Sequence, residues 1–200
     1  GDRDITPEVI DTWEDIDGDA QFDPEIDVWE DVNGNGRFDA VWMAGFQNSR
    51  PARGVLLPLK AVAIVVDDGK HRIGVVAADT IGLMRSFVRD LREHVPPNLG
   101  LDYVMVHATH NHEGPDTQGL WGESLFSSGV NQDYMKYLRD QMIGALEDAT
   151  ARLEPASLHM AAIPNSPNTP IRDARKPEVI DDEIRVLLFK GLQGRVLGTI

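Results

Sequence analysis

The 200-residue sequence contains no cysteine. Disulfides and thiolate metal sites are therefore excluded, and a metal has only nitrogen and oxygen ligands here. The redox compartment stays open on this ground. No apolar run approaches the ~20 residues that a membrane-spanning helix needs. Neither a signal peptide nor a basic targeting segment is visible. Positive charge is scarce: 19 lysines and arginines face 33 aspartates and glutamates, a net of −14. A nucleic-acid binder needs a basic face, and the sequence offers none, so no nucleic acid is expected as a partner. Enough remains for a fold. Hydrophobic residues make up 42%, which supports a core, and the length suits one domain, or one domain plus a small module.

The negative charge is concentrated. Residues 1–40 hold 14 acidic residues against Arg3 and Arg37, a net of −12. Such a run is ordinarily a solvated or disordered segment. A repeat argues otherwise. Asp11-Thr12-Trp13-Glu14-Asp15-Ile16-Asp17-Gly18-Asp19-Ala20-Gln21-Phe22-Asp23 is followed, 16 residues on, by Asp27-Val28-Trp29-Glu30-Asp31-Val32-Asn33-Gly34-Asn35-Gly36-Arg37-Phe38-Asp39. Random acidity would not repeat tryptophan and phenylalanine in register. Oxygen side chains stand at positions 1, 3, 5 and 9 of each loop: Asp15, Asp17, Asp19 and Asp23, then Asp31, Asn33, Asn35 and Asp39. The backbone carbonyls of Gln21 and Arg37 fall at position 7. Calcium takes six to eight hard oxygens on a tightly curled backbone, and the glycines permit that curl. The match to an EF-hand loop is partial, because position 12 holds Ile26 or Trp42 in place of glutamate. The units look more like interlocked calcium repeats of secreted proteins, with Asp27 or Glu30 completing the neighbour's shell. Two asparagines predict weaker binding in the second loop. The expected role is structural, since like charges repel without the ion. Such loops fit a secreted, periplasmic or cell-surface protein.

A second motif lies at Val104 to Pro115. The apolar Val104-Met105-Val106 leads into His107, His110 and His112, half of the chain's six histidines. Gly114-Pro115 then stops the strand. Residues two apart share a strand face, so His110 and His112 are expected to reach one point just beyond a sheet edge. Neutral imidazole is the commonest protein ligand for zinc, and two rings supply half of a four-coordinate site. The competing reading is a solvated loop with ordinary histidines.

The remaining chain reads as alternating strands and helices. Ala61 to Val66 is a buried strand, Asp67-Asp68-Gly69-Lys70 a hairpin turn, and Ile73 to Ala78 the returning strand. Asp79 follows it, with helix capping as the default role. Met84 to Val95 has helical spacing, with Phe87, Leu91 and Val95 on one face. Tyr103 to Thr109 is the strand that enters the histidines. Residues 113–132 form a long loop carrying Trp121, Leu125 and Phe126, either a pocket wall or plain core. Asp133 to Leu153 is the longest helix, with a core stripe of Tyr134, Leu138, Met142, Ala145 and Ala149. Leu158 to Ile163 is a strand in which His159 is expected to be packed. Ile184 to Phe189 and Val196 to Ile200 form a last hairpin. The fold class is therefore α/β: mixed β-sheet layers flanked by helices, with an irregular calcium-loop insertion near the N-terminus, and an incomplete domain.

These residues resemble the neutral/alkaline, non-lysosomal ceramidase family, in the N-terminal part of its catalytic domain. Asp4-Ile5-Thr6-Pro7, Ala44-Gly45-Phe46, Gly54 to Ala61 and Asp79-Thr80-Ile81-Gly82-Leu83 are similar to family segments. The strongest match is Thr109-His110-Asn111-His112-Glu113-Gly114-Pro115, which resembles Thr-His-Thr-His-Ser-Gly-Pro. The resemblance leaves residues 11–42 as a tandem calcium-loop insertion, with 1–10 and 43–200 as the N-terminal portion of an α/β zinc-hydrolase domain. It implies a zinc-dependent amidase acting on an N-acyl sphingolipid, with access to lipid at a membrane surface. His110 is then a zinc ligand and His112 a catalytic contact. The family's other ligands and its serine come later, so the polypeptide beyond Ile200 is an expected partner, and the isolated chain is expected to hydrolyse nothing. The family's Asn-Arg-Ser-Pro is matched only by Asn165-Ser166-Pro167, which leaves Arg172 or Arg175 as the candidate substrate-binding arginine. Glu113 replaces the family's serine.

The alternative is a calcium-stabilised extracellular binding or adhesion module with incidental histidines. A metallo-β-lactamase-type site lacks support, because Gly114 and Pro115 stand where Asp and His are required. No Gly-x-Ser-x-Gly marks a serine hydrolase.

Overall fold

The computed structural model describes residues 1–164, 173–181 and 183–200. They form two compact units, Gly1–Arg152 and Leu153–Ile200. In the first, the elements are β1 (Asp2–Asp4), β2 (Thr12–Glu14), β3 (Val28–Glu30), β4 (Lys60–Asp67), β5 (Arg72–Ala78), α1 (Arg85–His94), a short 3-10 turn (Pro97–Leu99), β6 (Tyr103–Ala108) and α2 (Gln132–Ala151). Four strands make one sheet in the order β1-β4-β5-β6. β4 pairs antiparallel with β1 and β5, while β6 runs parallel to β5. A parallel neighbour requires a crossover, and α1 lies within it. In the β4–β5 turn, the Asp67 and Asp68 carboxylates accept the N–H groups of Gly69, Lys70 and His71 at 2.7 to 2.8 Å.

Side-chain alternation decides which sheet face is covered. Ala61, Ala63 and Val65 of β4, Val76 and Ala78 of β5, and Val104 of β6 share one core with Phe87 and Leu91 of α1 and Tyr134, Leu138, Met142 and Leu146 of α2. Val62, Ile73 and Met105 face the other way and are half-exposed. Both helices thus cover the same side. The inward strand residues are small, so α2 approaches closely: a Cβ on Gly74 would stand 2.7 Å from the Leu146 side chain. Each fully buried Leu or Met on α2 contributes about 2–3 kcal/mol. Asn131 caps the helix, accepting from the N–H groups of Asp133 and Tyr134. The Tyr134 hydroxyl donates to the Ile5 carbonyl at 2.9 Å, and burial pushes its phenol well above the usual range.

β2 and β3 form a separate two-stranded ribbon in which Trp13 pairs with Trp29. The sequence repeat has become a local two-fold arrangement. Asp27 accepts the N–H groups of Ile16 and Asp23, at 3.0 and 2.8 Å. Asp11 accepts those of Val32 and Asp39, at 3.0 and 2.7 Å. The two sets are related by the same 16-residue offset. Each repeat's leading aspartate therefore closes the other repeat's loop, and both carboxylates are buried. Asp27, expected as a donor to its neighbour's metal shell, has both oxygens on backbone N–H. The recurring aromatics form a small core: Phe22 lies 4.1 Å from Phe38 between ring centroids, with Trp13 5.7 Å from Phe22 and Trp29 5.5 Å from Phe38.

In the second unit, β7 (Ala156–Pro164), β8 (Glu183–Gly191) and β9 (Val196–Thr199) make an antiparallel sheet in that order. The expected strands are present, β7 and β8 slightly longer than expected and β9 one residue shorter. His159 is exposed, not packed, with its Nε2 3.2 Å from the Ser157 hydroxyl. A strand with neither face covered offers a histidine no apolar neighbours to pack under. No helix among the described residues is long and apolar enough to cross a membrane.

Candidate metal centre

The sheet delivers the histidines by pairing two strand ends. β5 and β6 finish side by side, at Ala78 and Ala108. Beyond them the chains stay coupled, through Thr109 N–H on the Ala78 carbonyl at 3.0 Å and Asn111 N–H on the Thr80 carbonyl at 3.2 Å. The strand does not reach the histidine pair, contrary to the simple alternation argument. It ends at Ala108, and His110 takes a left-handed backbone with φ of +63°. That conformation costs a non-glycine residue about 1–3 kcal/mol. It turns the His110 ring so that Nδ1 lies 2.7 Å from the Ile81 carbonyl. A carbonyl only accepts, so Nδ1 carries a proton, and in the neutral ring Nε2 then keeps its lone pair. His112 Nε2 is 3.2 Å from His110 Nε2. The rings converge through a loop, not along one strand face.

Three neighbours fix His112. Gly45 has φ of +108°, and a Cβ there would stand 2.4 Å from the His112 ring. Only glycine satisfies both demands. Phe46 meets the ring edge-on at 5.3 Å. The Arg50 guanidinium donates to the carbonyls of Ala44 and His112, both at 2.8 Å. It also lies 4.8 Å over the Phe46 ring and 3.6 Å from Glu113. Asp79 is not a helix cap: Met84 stands at the N-cap of α1, without a side-chain cap bond. Asp79 instead accepts from Lys60 N–H at 3.0 Å and the Thr109 hydroxyl at 3.1 Å, tying β4 to the histidine loop.

Sequence reasoning missed Asp116. Its buried carboxylate accepts four backbone N–H groups, from Gln118, Gly119, Trp121 and Gly129, at 2.8 to 3.1 Å. This one residue folds the loop that follows the motif. The available signal was an aspartate ahead of a glycine-rich stretch, a pattern too common to single out. The loop walls a cavity of about 530 Å³ through Thr117, Gln118, Gly119, Ser128 and Val130, but its large apolar residues do not join in: Trp121 is half-buried, donating from Nε1 to the Phe46 carbonyl at 3.1 Å, while Leu125 and Phe126 are exposed. Thr109, Asn111 and Glu113 line a cavity of about 690 Å³ together with Val55 to Leu59.

In the first acidic loop, Asp15, Asp17 and Asp19 bring carboxylate oxygens within 4.8 Å of one another. Asp15 also accepts Gly18 and Ala20 N–H, at 2.8 and 3.1 Å, which curls the backbone around it. Asp23 lies outside this trio and accepts Glu25 N–H at 2.9 Å. In the second loop Asp31 plays the equivalent part, accepting Asn35 and Gly36 N–H at 3.1 and 2.7 Å. There the amides of Asn33 and Asn35 both donate to Asp39, at 2.7 and 2.6 Å. The all-carboxylate donor set of the first loop suits a hard divalent cation. Of the arginines expected near substrate, Arg172 lies outside the described residues, as do Asn165, Ser166 and Pro167. Arg175 is exposed and pairs with Asp173 at 3.3 Å within the second unit.

No family model matches the sequence. No curated protein matches it either. Among solved structures, the chain is similar to "Ceramidase complexed with C2", with a TM-score of 0.65 and 19% sequence identity. The match takes in 100% of this chain and 29% of that one, so the chain spans less than a third of that structure's length. The fold is therefore ceramidase-like.

Proposed function

We propose that this chain supplies part of the zinc centre of an amide hydrolase of the ceramidase type, acting on an N-acyl lipid. One observation carries the reading: His110 Nδ1 is occupied by the Ile81 carbonyl while the two Nε2 atoms stand 3.2 Å apart. Zinc bonds imidazole nitrogen at about 2.0–2.1 Å, so with His110 Nε2 as the ligand, His112 Nε2 stands beside the ion's open positions. A backbone carbonyl on the far nitrogen is the usual way a ligating histidine is oriented. When bound, zinc would polarise the scissile carbonyl and acidify a water. His110 holds the ion in this reading. His112, braced by Gly45, Phe46 and the Arg50-bound carbonyl, presents its Nε2 to the reacting group as proton carrier or oxyanion donor. His110 alone leaves the other tetrahedral positions to ligands that these residues do not supply. The first acidic loop holds calcium through Asp15, Asp17, Asp19 and Asp23 with the Gln21 carbonyl. The second does so more weakly, through Asp31, Asn33, Asn35 and Asp39 with the Arg37 carbonyl. That pairing suits a secreted, periplasmic or cell-surface protein.

The test is metal content and hydrolysis of a short-chain N-acyl sphingosine by protein carrying the remaining ligands. His110→Ala abolishes bound zinc and turnover. His112→Ala keeps most of the zinc and lowers turnover by about 10²–10⁴-fold. Full zinc in the His110→Ala protein rejects the assignment.

A further inference from the structure

We propose that the turn from Ser124 to Ser127 is a lipid-inserting tip that docks this protein on a zwitterionic bilayer beside the histidine pair; this rests on the lipid-amide reading above. Leu125 is 83% exposed and Phe126 100% exposed, adjacent at the crest of one turn. Two consecutive large apolar side chains held fully in water are costly unless something covers them.

Three observations favour a bilayer over a protein groove. First, the turn bonds three of its four N–H groups within itself. Ser127 N–H donates to the Ser124 carbonyl at 3.1 Å, Ser124 N–H to the Ser127 hydroxyl at 2.6 Å, and Phe126 N–H to the Ser124 hydroxyl at 3.3 Å. A backbone that bonds to itself can enter an apolar phase without stranding these N–H groups. Second, the turn is anchored, so its exposure is built in. Asn48 donates to the carbonyls of Leu120 and Ser124 at 3.1 and 3.2 Å, Ser49 N–H donates to the Gly122 carbonyl at 2.8 Å, and the Ser49 hydroxyl donates to the Glu123 carbonyl. Third, the charge pattern excludes an electrostatic mode. Glu123 is the only charged residue between Asp116 and Asp133, in a chain of net charge −14. Anionic lipid would repel such a surface, so apolar insertion into a neutral bilayer is what remains. Behind the crest, Trp121 is hydrogen-bonded to the Phe46 carbonyl, and Phe46 touches His112. A tip seated in lipid therefore places the histidine pair at the interface from which a lipid amide would come.

Vesicle flotation of the 200-residue chain, without substrate, reads this directly. The chain co-floats with phosphatidylcholine vesicles, and adding phosphatidylserine weakens the binding. Leu125→Ser/Phe126→Ser lowers the partition by about a hundredfold with an unchanged melting curve. Phe126→Trp gives a blue shift of emission on adding vesicles. A chain that stays with the aqueous phase, a double variant that floats as well as the parent, or an unshifted Phe126→Trp spectrum overturns the proposal. None of these readouts depends on zinc or turnover, so the hydrolase reading stands or falls separately.

Discussion

At the scale of single residues, the candidate centre depends on two backbone conformations that most side chains avoid. His110 accepts a left-handed φ, and Gly45 takes a φ open to little but glycine. Both bring an imidazole to a place that ordinary strand geometry would miss. Gly45→Ala is the sharper probe, because the new methyl would have to displace the His112 ring. We expect a loss of about 2–3 kcal/mol in urea unfolding and a displaced His112 imidazole resonance in NMR. Unchanged stability together with an unmoved resonance would refute the bracing role. Little of this was legible in the sequence. Spacing alone pairs His110 with His112, yet a shared strand face does not bring them together: the pairing comes from a loop that bends at His110. Nothing in the residue types announces that Asp116 will gather four amides, because aspartate before glycine is commonplace.

At the scale of elements, the acidic repeat is the part that the sequence disclosed best. A 16-residue offset between identical residues survives as a two-fold pattern of hydrogen bonds and as the Trp13–Trp29 register. The strands and both helices were legible for a related reason: apolar periodicity is a local signal. What was not legible is which face stays bare, since His159 and Phe126 look like core residues until their neighbours are known. For the loops, a calcium chelator is expected to lower the melting temperature, and excess calcium to restore it. Asp15→Asn/Asp19→Asn should remove most of that calcium response, and Asp31→Asn a smaller share. Superimposable melting curves with and without chelator would disprove calcium as the stabilising ion.

At the scale of the whole molecule, the first unit is clasped by ion pairs and carboxylate–amide bonds at its margins. The Asp148 carboxyl is held below its ordinary value of 3.8 by hydrogen bonding to Arg3. The N–H of Gly69 and then Arg72 do the same for Asp67, and the N–H groups of His71 and Lys70 for Asp68. A carboxyl depressed in the folded state stabilises above its unfolded value and loses that contribution as pH falls through the folded one. Asp148→Asn should therefore melt below the parent at pH 7, with the gap closing once the pH drops under 3.8. Taking the difference between the two proteins cancels the general relief of acidic repulsion. A gap independent of pH would show that the Arg3–Asp148 pair acts by packing alone.

The crossed aspartates, Asp11 and Asp27, have one more implication. Because each repeat is finished by a side chain lent from the other, neither copy is a self-sufficient module. Deleting residues 27–42 should leave 11–26 unstructured, and a graft of one copy into a foreign protein should stay unfolded while the tandem takes shape. The duplication is thus the smallest indivisible part, gained or forfeited as a couple.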